Sequence, residues 1–132
     1  MSARLPVVTL DGPAGVGKTT LARRVAEGLG LSYLDTGAMF RCMALKLGAG
    51  AEALPEEELR ARCAQWTFTL TGLGQQSTLF CNGEAVRGEV RTEAVGMLAA
   101  RIATVPLVRD ILRQHLDALI PVIAREITQR LR

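Results

Sequence analysis

The residues best equipped for chemistry form one run near the start of the chain, Gly12-Pro13-Ala14-Gly15-Val16-Gly17-Lys18-Thr19. Glycines at positions 12 and 17 let the backbone curl so that its N–H groups converge on phosphate oxygens. Lys18 follows to neutralise the terminal phosphates of a nucleoside triphosphate such as ATP, and the Thr19 hydroxyl is placed to ligate Mg2+. Thr20 is placed for a further contact to the α-phosphate. The competing reading is a glycine-rich turn that merely joins strand to helix, and the complete pattern weighs against it.

A second cluster, Asp35-Thr36-Gly37 with Arg41 about one helical turn later, stands before the next helical pattern. A helix N-terminus there could receive a second phosphate, with Arg41 facing it. Taken alone, the run reads first as an ordinary helix cap.

These residues need a scaffold. Residues 6–10 are apolar and β-branched and lead into the glycines, which predicts a buried strand feeding the loop. From Lys18, apolar Leu21, Ala22, Val25 and Leu29 recur at helical spacing, and Gly28 and Gly30 mark the stop. A second strand is expected over 31–34. Strand, loop, helix and strand together open an α/β fold with a P-loop-type parallel sheet flanked by helices.

Thr36 is the expected cap of a helix over 37–47, and Pro55 with three following glutamates starts another, reaching about Gln65. Alternation then takes over: Trp66, Phe68 and Leu70 share a face, a turn covers 72–76, and Leu79 and Cys81 face opposite to Thr78, Phe80 and Asn82. Asn82-Gly83 signals a type I′ turn into a returning strand at 84–86. The expectation is a small antiparallel sheet inserted between helices, over about 66–90. Thr92 caps a helix with the stripe Val95, Leu98, Ile102 and Val105, and Pro106 starts another. Residues 120–124 read either as its kinked continuation past Pro121 or as a further core strand.

Composition sets outer bounds. At 132 residues the chain has the size of one domain, and 48% hydrophobic with 22% charged residues is globular composition. Sixteen basic against 13 acidic residues give a net charge of +3. Without clusters of Lys/Arg interleaved with aromatics, this mild excess argues against a nucleic-acid surface. The three cysteines, Cys42, Cys63 and Cys81, are odd in number and widely spaced, which argues against a disulfide framework and a zinc site. No signal peptide or membrane span is visible, so a cytoplasmic protein is expected.

The sequence resembles the bacterial cytidylate kinases, which are P-loop nucleoside monophosphate kinases. The resemblance runs through Val8-Thr9-Leu10-Asp11 into the glycine loop, then Tyr33-Leu34-Asp35-Thr36-Gly37-Ala38-Met39-Phe40-Arg41. It continues through Gly88-Glu89-Val90-Arg91-Thr92-Glu93-Ala94-Val95 and Val105-Pro106-Leu107-Val108-Arg109, covering the chain to about residue 119. It implies transfer of the γ-phosphoryl group of ATP to CMP or dCMP, giving ADP and CDP or dCDP, with the inserted sheet part of the monophosphate-binding region. Thr36, Gly37, Arg41 and Arg109 match positions where the family binds the acceptor nucleotide, which moves the Asp35 cluster from cap towards function. For Arg109 a solvated helix residue is the alternative. Arg91 is open between a ligand contact, ordering of the insert and ordinary structural pairing.

Two departures from the family stand out. Ala100 replaces a serine expected near the acceptor base. The family also continues with a strand bearing an Asp/Glu-Gly-Arg-Asp motif, an arginine-rich lid, and a final strand and helix, none recognisable in these 132 residues. The expectation is therefore one truncated kinase domain, 1–132, with an incomplete core. Its turnover should fall without lid arginines, and its uncovered surfaces invite self-association where the full-length family is monomeric. A non-catalytic nucleotide-binding fragment or module is the alternative, and a shikimate- or gluconate-type P-loop kinase the runner-up among enzymes. His115, Cys42, Trp66 and Phe68 read as structural residues.

Overall fold

The computed structural model describes the backbone of residues 18–130 and the side chains of residues 20–119. The expected strand over 6–10 and the glycine loop up to Gly17 lie outside the described residues.

Helix α1 (Lys18–Leu29) stops where its glycines predict. Gly30 sits at φ +67°, which a side chain would resist. There Leu31 N–H donates to the Ala26 carbonyl at 2.9 Å and Gly30 N–H to Glu27 at 3.3 Å, the paired bonds that close a helix end. On the expected apolar stripe Ala22 and Val25 are half-buried and Leu21 and Leu29 are 56% and 59% exposed, while the buried residue of α1 is Ala26, which lies off that stripe. The parallel sheet that this stripe was expected to cover is not among the described residues.

Residues 31–34 correct the expectation of a second strand. They join α1 to helix α2 (Thr36–Leu47) without strand pairing, and their described hydrogen bonds run to the 72–77 turn instead. The α2 cap is also shifted by one residue. Asp35, not Thr36, has the extended backbone of a cap, and its Oδ1 accepts from Ala38 N–H at 2.9 Å. Met39 and Met43 on α2 are fully buried at the centre of the core, each contributing about 2 kcal/mol by removal from water.

Helix α3 (Glu56–Cys63) starts behind Pro55 with Glu56, Glu57 and Glu58 in its first turn, and ends two residues short of the expected Gln65. The sheet is antiparallel, β1 (Phe68–Thr71) against β2 (Thr78–Cys81) against β3 (Glu84–Ala85). Phe68 and Leu70 are buried from one strand and Leu79 and Cys81 from the next, as their alternation predicts. Asn82 (φ 51°) and Gly83 (φ 82°) make the tight turn, both left-handed as type I′ requires.

A short 3-10 segment, Gly88–Arg91, leads to α4 (Glu93–Ile102), whose Thr92 cap accepts from Val95 N–H at 3.2 Å. Val95, Ala99 and Ile102 are its buried face, and the expected Leu98 and Val105 pack against the same core partly buried. Helix α5 (Pro106–Arg130) runs on through Pro121, so residues 120–124 are helical and not a core strand. Pro121 leaves one backbone bond unmade there. Phe68 of β1 meets His115 of α5 edge-on, with ring centroids 5.1 Å apart, which keeps both in structural roles.

Candidate nucleotide site

Three of the helices, α1, α2 and α5, begin without an acid inside their first turn, whereas α3 and α4 each carry glutamate there. An acid in the first turn offsets the partial positive charge of a helix N-terminus. Of these three electropositive ends, those of α1 and α2 coincide with the phosphate-binding runs of the sequence.

Helix α1 opens at Lys18, so its free N–H groups follow the glycine loop directly. The glycine-loop residues Gly12, Pro13, Ala14, Gly15, Val16 and Gly17, and the side chains of Lys18 and Thr19, lie outside the described residues. Thr20 is exposed on the first turn.

At α2 the geometry is fuller. Thr36 and Gly37 are exposed at the helix start, and Arg41 is half-buried one turn on. A Cβ placed on Gly37 would stand 3.2 Å from the Asp35 carboxylate and 3.6 Å from an Arg41 guanidinium nitrogen, so the cap, the glycine and the arginine are one cluster. Asp35 does double duty: Oδ1 caps the helix, while Oδ2 accepts from Arg91 at 3.2 Å. Arg91 thereby balances the carboxylate that would otherwise offset the dipole. Among the described residues the Arg41 guanidinium has no hydrogen bond or ion pair, which leaves a cation for an incoming anion.

Arg109 does not join this cluster by any recorded bond. It is exposed on α5 and lines a groove of about 480 Å³ with Phe40, the neighbour of Arg41, and with Leu112 and Leu116. Ala100, at the departure from the family pattern, is exposed on α4.

A second cleft, about 360 Å³, has Asp35 in its wall together with Arg23, Tyr33, Ser77, Arg87 and Arg91. Arg23 stacks 4.7 Å over the Tyr33 ring. Neither Arg23 nor Ser77 is singled out by sequence pattern, because their hydrogen-bond partners lie more than forty positions away.

The three cysteines are buried and free. Burial pushes the Cys42 thiol up to about 12 and Cys63 to about 11, and raises Cys81 as well, so none is a nucleophile at neutral pH.

A mixed helix and strand arrangement, in which a glycine-rich run of sequence precedes the start of one helix and a second helix start lies beside an arginine with no partner among the described residues, is compatible with a nucleotide-phosphate-binding protein. The family described as cytidylate kinase matches residues 8–127. A cytidylate kinase of Nitratidesulfovibrio vulgaris is 61% identical over 111 residues, 84% of this chain and 48% of that protein. One of Oleidesulfovibrio alaskensis is 52% identical over 108 residues, 82% of this chain and 49% of its own length. One of Vibrio parahaemolyticus is 38% identical over 113 residues, 85% of this chain and 50% of its own length. The chain belongs to the cytidylate kinase family. It spans about half the length of the curated relatives it matches.

Proposed function

We propose that the chain serves transfer of the γ-phosphoryl group of ATP to CMP or dCMP, giving ADP and CDP or dCDP. The observation that carries this reading is the complete loop Gly12 to Thr19, opening α1 in a chain of this family. An acceptor phosphate oxygen attacks the γ-phosphorus as its bond to the β-bridging oxygen breaks. Such a reaction is accelerated chiefly by positioning and charge neutralisation. Gly12 to Gly17 cradle the triphosphate, Lys18 neutralises its terminal phosphates, and Thr20 adds a contact. Thr19 would supply a hydroxyl to Mg2+, and the bound ion would help neutralise phosphate charge. Thr36, Gly37 and Arg41 hold the acceptor phosphate at the α2 end, and Arg109 reaches the acceptor from α5.

In this reading residues 1–132 are one kinase domain, with 66–90 an insert of the monophosphate-binding region and 6–10 the first strand of a parallel sheet. A cytoplasmic location and a monomeric full-length relative complete it. Among the described residues, no helix is long and apolar enough to cross a membrane. The second reading, a nucleotide-binding module without turnover, rests on the chain's half-length span of its relatives. An ADP-release assay with CMP, dCMP, UMP and AMP separates the two. CMP and dCMP should accelerate release above the rate without acceptor, and release indifferent to every acceptor would favour the module.

A further inference from the structure

The turn between β1 and β2 is longer than a hairpin needs, and its extra residues face outward from the sheet onto α1 and the 31–34 segment. Gln75 N–H donates to the Glu27 carboxylate at 2.7 Å, and Arg23, one turn earlier on the same α1 face, reaches the Gln75 carbonyl at 3.5 Å. Gly74 N–H donates to the Leu31 carbonyl at 2.7 Å, and the Ser32 hydroxyl donates to the Gly72 carbonyl at 2.8 Å. Tyr33 N–H donates at 2.8 Å to the hydroxyl of Ser77, which is 8% exposed. One turn thus grips the end of the helix that leaves the glycine loop, and every residue from 31 to 33 on the way to the Asp35 cap.

The fit is close. Gly74, at φ +54°, lies so near α1 that a Cβ there would stand 2.7 Å from the Glu27 Cα and run into the Glu27 carboxylate. Gly72, at φ +80°, has the Gln76 carbonyl in the same position. A connection serving only to join two strands has no need of either restriction.

We propose that the 72–77 turn is a positioning element that fixes the phosphate-loop helix α1 relative to the acceptor helix α2, with Glu27 and Gly74 as its positioning residues. The proposal rests on the phosphotransferase reading, since it makes the sheet insert a brace between the donor and acceptor sites. Two sites held by one rigid brace are energetically coupled: ordering one side lowers what the other must still lose in freedom.

The test uses the 132-residue chain and an unreactive pair of ligands, Mg-ADP titrated calorimetrically with and without saturating CMP. In the wild type CMP should tighten Mg-ADP binding by about fivefold or more, the usual lower range for coupled sites. Glu27→Ala and Gly74→Ala should bring that ratio close to one while each ligand still binds alone. Glu27→Gln, whose amide oxygen can accept the same Gln75 bond, should keep it. A purely structural role would lower the melting temperature and leave the ratio intact. Folded Glu27→Ala with an unchanged ratio, or a wild type whose Mg-ADP binding ignores CMP, overturns the proposal alone. A wild type that binds no Mg-ADP overturns the phosphotransferase reading and the brace with it.

Discussion

Asp35 and Arg91 meet across 56 positions of sequence, Oδ2 accepting from the guanidinium at 3.2 Å, and the contact ties the insert's last segment to the cap of α2. The carboxylate is largely sheltered and the arginine largely exposed. Exposed ion pairs contribute little, whereas a helix cap is worth about 1 kcal/mol. Arg91→Ala and Asp35→Asn, which leaves a capping side chain in place, should each lower stability by less than about 1 kcal/mol. Asp35→Ala should lose about 1 kcal/mol more than Asp35→Asn, read from urea midpoints. Equal losses for the asparagine and alanine variants would show that the cap is not what Asp35 contributes.

The hairpin, the α4 cap and the start of α3 were legible in the sequence because each is set by local chemistry. Asn82-Gly83 can adopt two left-handed residues, Thr92 offers a short acceptor, and Pro55 fits before a helix. The expected α2 cap is off by one, because Asp35 and Thr36 are both capping residue types, aspartate the better, and the backbone angles place the cap at Asp35. Residues 31–34 read as a strand by composition, yet among the described residues their partners beyond α1 lie in the 72–77 turn, which no periodicity encodes. For the same reason the Glu27–Gln75 bond, spanning 48 positions, had no sequence signal. The loop and Arg41 are candidate phosphate contacts by residue type alone; the pairing of Arg91 has no sequence signal, because Asp35 lies 56 positions away.

Gly83 holds φ at 82°, a conformation that costs an L side chain about 1–2 kcal/mol. Gly83→Ala should lower stability by about 1 kcal/mol with the sheet intact by circular dichroism, since nothing lies within 4 Å of the added carbon. An unchanged unfolding midpoint would contradict the turn assignment.

The thiols of Cys42, Cys63 and Cys81 are buried, and burial raises all of them above their usual range. A thiol reagent at neutral pH should label none in the native chain and all three after unfolding in urea. Rapid labelling of the native protein would mean that the core around Met43 opens readily.

Burial holds the His115 imidazole below its ordinary value of 6.5, with an opposing contribution from the Cys63 backbone. The unfolded chain therefore takes up this proton first on acidification. The native state is free of the penalty above 6.5, and it loses stability as pH falls below 6.5 until the folded group also titrates. The urea midpoint of the wild type should drop more steeply below that pH than the midpoint of His115→Gln. Parallel profiles would place the imidazole in water in both states.

The claim on which the rest depends is that Lys18 and the glycine loop hold a polyphosphate. Calorimetric titration of Mg-ATP into the wild type and Lys18→Ala tests it directly. A charge-assisted hydrogen bond of about 1.5–3 kcal/mol predicts a loss of affinity of roughly tenfold or more in the variant. Equal affinity in the two proteins, or no binding by the wild type, would contradict it.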